Sequence, residues 1–379
     1  MSFGIYVHWP FCAAKCPYCD FNSHVRTKID EGGWLDGIEK ELEWTANMQG
    51  DARPIVETIF FGGGTPSLMT GPSVGRILDK ISRTWRMAND VEVTLEANPA
   101  SAEAARFADY KAAGVNRVSL GVQALNDSDL KMLGRLHNAE EAKAALKMAM
   151  NQFQRVSLDL IYARPDQSDA QWRTELKEAL SFGTDHMSLY QLTIEPETPF
   201  ALLHKTGKLH IPDDDLAADL YETTQEMTEA AGLPAYEISN HARPGSESRH
   251  NLIYWRYGDY AGIGPGAHGR LMLNNARMAT ATIRLPERWK DMLEKQGNAF
   301  TDFLQVSDGD AAREHLLMNL RLSEGLDLAA YELRWNIRPD AAKIAALVEQ
   351  GLLSQDDDVL RATPNGRLVL NAVIAALLN

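Results

Sequence analysis

Cysteine is scarce in this sequence: 379 residues hold three, Cys12, Cys16 and Cys19, all within eight positions. An odd, clustered set of thiols excludes a disulfide framework and leaves metal binding or catalysis. Long apolar runs are missing too. No stretch suits a bilayer-crossing helix, so the chain is not read as integral in a membrane. The first residues lack the basic head and apolar body of a signal peptide, which points to the cytoplasm, where thiols stay reduced. Basic residues are outnumbered, 38 Lys and Arg against 52 Asp and Glu, giving a net charge of −14. That balance excludes a broad phosphate-binding surface, and no nucleic-acid partner is expected; a local site for a small anion stays open.

What is present is an ordinary globular composition, 45% hydrophobic and 24% charged, at a length that suits two domains or one large barrel with an appendage. From residue 4 to about 230, short β-rich runs alternate with helical patterns, the signature of a parallel α/β sheet. The strands are expected at Gly4–Trp9, Val56–Phe61, Val91–Ala97, Val115–Val122, Arg155–Tyr162 and His186–Ile194. Helices are expected at Trp34–Met48, Ser73–Trp85, Ala102–Ala113, Ala139–Asn151, Ala170–Ser181 and Asp214–Ala230. Candidate functional residues fall at the ends of several successive strands, where a barrel gathers its site; a doubly wound sheet would concentrate them at one switch point. The fold class is therefore α/β, an incomplete (β/α)6 TIM-type barrel over residues 1–232. Residues 233–300 read as a loop-rich extension. Residues 301–379 read as a mostly helical, winged-helix-like domain. Its twelve acidic and seven basic residues argue against DNA binding and for a structural or interaction role.

The spacing C-x3-C-x2-C puts three thiolates on one short loop after the first strand. Four thiolates saturate a cubane iron–sulfur cluster, whereas three leave one iron with an open position. The alternative is a zinc site of the Cys3His kind, completed by His24 or His8, in a barrel without redox chemistry. Downstream, "FFGGGTP" ends the second strand with glycines that let backbone approach a ligand closely and offer N–H groups; a tight turn is the plainer reading. Glu96 ends the third strand, where a carboxylate can accept from ribose hydroxyls. Gln123 ends the fourth, Arg135 follows in "LGRLH", and Asp159 lies in the fifth. Singly, each reads as a solvated or core-satisfied polar residue; on one rim they suit a cofactor with ribose, amine and carboxylate groups. "GPGAHG", Gly264 to Gly269, has the letters of a dinucleotide motif without its β-α-β context, and reads instead as a turn near the mouth of the barrel.

The cysteine loop with Tyr18 before its last cysteine, followed by "GGGTP", "LEANP", "SLGVQALND" and "LDLIY", resembles the radical S-adenosylmethionine (SAM) proteins. The resemblance covers nearly the whole chain. It is strongest to the branch that holds oxygen-independent coproporphyrinogen III oxidase and the heme chaperones. It implies a [4Fe-4S] cluster on Cys12, Cys16 and Cys19, with SAM chelating the open iron through its amino and carboxylate groups. It also implies SAM contacts from Tyr6, Gly63, Gly64, Thr65, Glu96, Gln123, Arg135 and Asp159.

Two features separate the relatives. The oxidase has a fourth cysteine in C-x3-C-x2-C-x-C and an N-terminal extension; here the fourth position is Phe21 and the first cysteine is already residue 12. "HNLIYW", His250 to Trp255, matches the H-N-x-x-Y-W motif that the chaperone branch associates with heme. Imidazole is an axial ligand to heme iron, and Tyr254 and Trp255 offer flat apolar faces, with Asn251 completing the motif. From residue type alone, His250 and Asn251 read as loop-satisfying groups and the aromatics as core; His8 and His268 are further candidates for the ligand. The resemblance implies a heme chaperone delivering its cargo to apoproteins, those of the respiratory chain, with porphyrinogen decarboxylation as the alternative. A homodimer and a peripheral membrane contact stay open.

Overall fold

The computed structural model describes residues 2–51 and 53–378. Among them, eleven strands form one open sheet: β1 (Phe3–Trp9), β2 (Val56–Gly63), β3 (Met87–Ala97), β4 (Arg117–Gln123), β5 (Arg155–Tyr162), β6 (His186–Gln191), β7 (Asn240–Ala242), β8 (Asp259–Ile263), β9 (His268–Leu273), β10 (Ala276–Thr282) and β11 (Phe300–Gln305). Strands β1 to β6 are parallel and stand side by side in chain order. A doubly wound sheet reverses its order at a switch point, and this one does not. Right-handed crossovers in unbroken sequence send every helix to one face, as in a barrel. The sheet stays open, ending in β7 at one edge and β11 at the other. β1 shows why these segments are strands: in "FGIYVHW" six of seven residues are buried, the pattern of a strand covered on both faces.

Helix starts are set by side-chain caps. Asp30 accepts from Gly33 N, and Asn138 and Ser168 form capping boxes with Glu141 and Gln171. The helix at Asp214–Ala230 lies where the sequence places it. The one expected at Ala102–Ala113 is instead two pieces, Ser101–Ala104 and Phe107–Ala113. The break is tertiary: Arg106 turns its guanidinium onto the carbonyls of Ser67 and Leu68, and buried Glu103 accepts from Ser67 and Asn98.

The segment 233–300 is more regular than expected. Its helix Arg249–Trp255 starts on the Ser248 cap, and β8 pairs parallel with β1 on the side away from β2. β9, β10 and β11 then continue antiparallel. The irregular letters are turns between short strands. Asn274 and Asn275, both with positive φ (49° and 64°), make the two-residue hairpin between β9 and β10. In "GPGAHG" Gly264 has φ 102°, and a Cβ there would lie 2.4 Å from the His8 carbonyl oxygen, so this glycine permits a close backbone approach to the first strand. β11 runs across residue 300, so the large sheet ends at Gln305.

Beyond it, the helix Asp308–Asn319 opens a second core built on Leu316, Leu320, Tyr331, Leu347, Leu360 and Ile374. A three-stranded wing of Leu326–Asp327, Val359–Ala362 and Leu353–Asp356 and the closing helix Leu370–Leu378 complete it. This unit docks on the main sheet through polar contacts: Arg270 with Glu314, Arg256 with Glu324, and Asn319 with the Trp255 carbonyl. No helix of the described residues is long and apolar enough to cross a membrane.

Candidate functional site

Because β1 to β6 are parallel, their C-terminal ends share one rim, and the cysteine loop follows β1 onto it. A cavity of about 550 Å³ opens there, and Cys12, Cys16 and Cys19 all line it as free thiols. Burial pushes the Cys12 and Cys19 thiols above their ordinary range. Such groups ionise when a metal takes the proton's place. Among the described residues no group of three or more His, Cys, Asp or Glu side chains is arranged to hold a metal ion.

Two donors already aim at the sulfurs. Thr65 Oγ1 donates to Cys12 Sγ at 3.3 Å, and Arg135 Nη1 to Cys16 Sγ at 3.5 Å. Asn98 ties them together: its Nδ2 donates to Thr65 Oγ1 at 3.3 Å and its Oδ1 accepts from Arg135 Nη2 at 2.5 Å. Asn98 was not among the residues expected from sequence, although it stands two places after Glu96 in the same strand-end motif.

Gln123 sits on the same rim with φ 71°, and its Oε1 is buried without a partner; Arg135 Nε is likewise unpartnered. A buried polar atom without a hydrogen bond costs free energy, and these two point to a polar occupant of the cavity. Asp159, also lining it, is already held by Ser119 (2.8 Å) and Ser157 (2.7 Å). The glycine turn differs from expectation. The N–H groups of Gly63, Gly64 and Thr65 bond to Glu96, Trp9 O and Phe11 O, so they are engaged inside the protein. An ammonium group, which only donates, would call on carbonyl oxygens here. Gly63 has φ 109°, and a Cβ would press on the His8 ring at 2.5 Å.

A second cavity, about 760 Å³, lies next to the first. Phe21, Gly63 and Glu96 line both and form the wall between them. Burial pushes the Glu96 carboxyl up to about 8, with Asp159 adding to the effect. Tyr6 faces only the second cavity, where its hydroxyl bonds to His8 Nδ1 at 3.0 Å. The other walls are Tyr254, Trp255, Tyr257 and Tyr260, the β9 residues His268 and Arg270, and Leu317 and Met318 from the C-terminal unit.

The HNLIYW segment is thus divided. Tyr254 and Trp255 line the cavity, whereas His250 and Asn251 do not. The His250 ring is buried and stacked on Phe60, with Nδ1 bonded to Thr58 Oγ1 and Nε2 to Tyr254 OH, each at 2.7 Å. Burial pushes its pKa down to about 3. Two residues that sequence reasoning missed complete the mouth. Asn22 clamps the Pro265 and Arg284 carbonyls at 2.8 Å each, and Arg284 also lines the cavity. Contacts spanning more than 240 residues leave no local signal.

An open sheet with six parallel strands in chain order, three thiols at the rim of their C-terminal ends and a winged C-terminal unit define the class, a partial α/β barrel. The Radical SAM superfamily profile matches residues 6–179 and the HemN C-terminal domain profile matches residues 306–369. The fold is that of a solved coproporphyrinogen III oxidase (HemN) from Escherichia coli, described as a radical SAM enzyme, with TM-score 0.84 at 23% identity over 99% of this chain and 90% of that one. Heme chaperone HemW of Escherichia coli (strain K12) is 38% identical over 99% of this chain and 98% of its own length. The HemW protein of Mycobacterium tuberculosis (strain H37Rv) is 38% identical over 99% and 95%. A mitochondrial radical S-adenosyl methionine domain-containing protein 1 from Bos taurus is 37% identical over 99% and 87%. The chain belongs to the HemW family of the radical SAM superfamily.

Proposed function

We propose that this protein is a heme chaperone that takes up heme and passes it to apoproteins, those of the respiratory chain, from the cytoplasm. One observation carries this reading: an aromatic-walled cavity of about 760 Å³ shares a wall with the three-thiol cavity and is lined by Tyr254 and Trp255. Its size and mixed lining suit a macrocycle with an apolar face and a charged edge. The HemW relatives, known as heme chaperones, support it.

Cys12, Cys16 and Cys19 would hold a [4Fe-4S] cluster, which when bound supplies one-electron chemistry toward SAM. Gly64, Thr65, Gln123, Arg135 and Asp159 would bind SAM beside it. Gly63 and Glu96 stand in the shared wall, within reach of both ligands, whereas Tyr6 lies beyond it on the side of the second cavity. Phe21, 60% exposed, occupies the place of the oxidase's fourth cysteine and presents an apolar face to both cavities. The chain's own contribution is to orient two thiolates by hydrogen bonds and to keep the cargo cavity against the cofactor wall.

Incubating the hemin-loaded, cluster-reconstituted protein with heme-depleted respiratory membranes tests this. Heme should leave the protein and cytochrome absorbance should appear in the membranes. Heme retained on the protein, together with conversion of coproporphyrinogen III to protoporphyrinogen IX, would establish the oxidase instead.

A further inference from the structure

The motif histidine is in the wrong place to meet a ligand in the cavity, and this raises the question of which imidazole can. Only His8 and His268 line it. His8 has both ring nitrogens engaged, Nδ1 with Tyr6 OH at 3.0 Å and Nε2 with the Asn22 carbonyl at 2.9 Å. Binding iron there would break one of two partly buried hydrogen bonds and loosen the loop that follows Cys19. His268 has no hydrogen bond to its ring among the described residues. It is the first residue of β9, exposed, and two places from Arg270, so both side chains stand on the same face of the strand and both line the cavity.

The two cavity arginines also differ. Arg270 is held by Glu314 at 2.9 Å, which Tyr257 OH also contacts at 2.6 Å. Arg284 is an exposed residue and its side chain is in no ion pair among the described residues. His268 and Arg284, neither with a side-chain hydrogen bond or ion pair among the described residues, therefore line one cavity together with the aromatic rings of Tyr6, Phe21, Tyr254, Trp255, Tyr257 and Tyr260. This is the set of groups that a planar iron macrocycle with carboxylate substituents calls for: an axial nitrogen, flat apolar faces and a cation for the carboxylates.

We propose that His268 supplies the axial imidazole to heme iron and that Arg284 pairs with a heme propionate; this rests on the heme-binding reading above. His250 then has a supporting role: it holds the Tyr254 hydroxyl, and so the aromatic wall, from behind. A ligand at the exposed mouth suits a carrier, because an acceptor's own ligand can displace it without entry to the core.

The test uses full-length, cluster-reconstituted protein, its His268→Gly and Arg284→Gln variants, hemin, and hemin dimethyl ester, which lacks the propionate charges. Ferrous heme on the unaltered protein should show the iron–histidine stretch in its resonance Raman spectrum. His268→Gly should lose that band and bind hemin about tenfold or more weakly, since loss of even an outer-sphere partner of a metal ligand costs this much. Millimolar imidazole should restore binding. Arg284→Gln should weaken hemin and leave the diester unaffected. An iron–histidine band that persists in His268→Gly overturns the ligand assignment, and equal weakening of hemin and diester overturns the Arg284 assignment. If the unaltered protein binds no hemin, the heme reading itself fails and this inference falls with it.

Discussion

The Thr65 hydroxyl donates to the Cys12 sulfur at 3.3 Å, and the same oxygen accepts from Asn98 at 3.3 Å, so the Cys12 thiol is wired through a threonine to the third-strand motif. A hydrogen bond to a thiolate favours the more electron-rich state of the cluster it ligates. Thr65→Val keeps the volume and removes the donor. It should shift the cluster potential to more negative values and lower iron retention about 10- to 100-fold, the range found for outer-sphere partners. Redox titration followed by electron paramagnetic resonance reads the first, and iron analysis after chelator challenge the second; an unchanged potential would remove Thr65 from the cofactor's environment.

A pH dependence follows from Glu41, which is buried, accepts from Gly264 N at 2.6 Å and from Trp289 Nε1 at 3.2 Å, and has its carboxyl pushed up to about 8 by burial. Its unfolded value is 4.5. Below 4.5 the group is protonated in both states and its contribution is complete. As pH rises toward about 8 the unfolded chain ionises first, and stability falls by a few kcal/mol at most. Glu41→Gln should flatten urea-unfolding free energies over this window. Glu96 has the same sign and window, so some slope should remain until Glu96→Gln is added. A slope unaltered by both changes would contradict the assignment.

Glu314 joins the C-terminal unit to the main sheet by accepting from Arg270 at 2.9 and 3.1 Å and from Tyr257 at 2.6 Å. The pair is partly exposed, with side-chain exposures of 23% and 35%, so solvent screening holds its worth to about 1 kcal/mol or a little more. Glu314→Ala should lower Tm by about 2–4 °C, as expected for a loss of that size in a large domain. It should also weaken hemin binding, because Arg270, Glu314, Leu317 and Met318 all line the cavity proposed for heme. A lower Tm with unaltered hemin affinity would mean that the C-terminal unit supports the fold and takes no part in the cavity.

Much of the barrel is legible in the sequence because its six parallel strands are buried apolar runs separated by amphipathic helices with clear caps. All six lie where the alternation of patterns puts them, to within a few residues at their ends. The extension was less legible. The pairing of β8 with β1 joins residues 3–7 to 259–263 across the length of the barrel, and "LNNA" is a hairpin turn only in a context that supplies two strands. At the site, the three thiols stand out by their spacing, whereas each strand-end residue alone reads as an ordinary polar residue and only the set on one rim suggests a ligand. The partners of His250 could not be named from sequence: Thr58 stands 192 residues away, and that contact determines which imidazole is free. Asn98 and Arg284 escaped for a similar reason, since an amide or guanidinium acquires its role from what the fold brings opposite.

The most direct measurement is an anaerobic hemin titration of the cluster-reconstituted protein, with and without SAM, followed at the Soret band. Saturation at one hemin per chain, at an affinity that SAM alters, is the predicted result, because Gly63, Glu96 and Phe21 belong to both cavities. A titration that yields no Soret change in either condition would contradict the account.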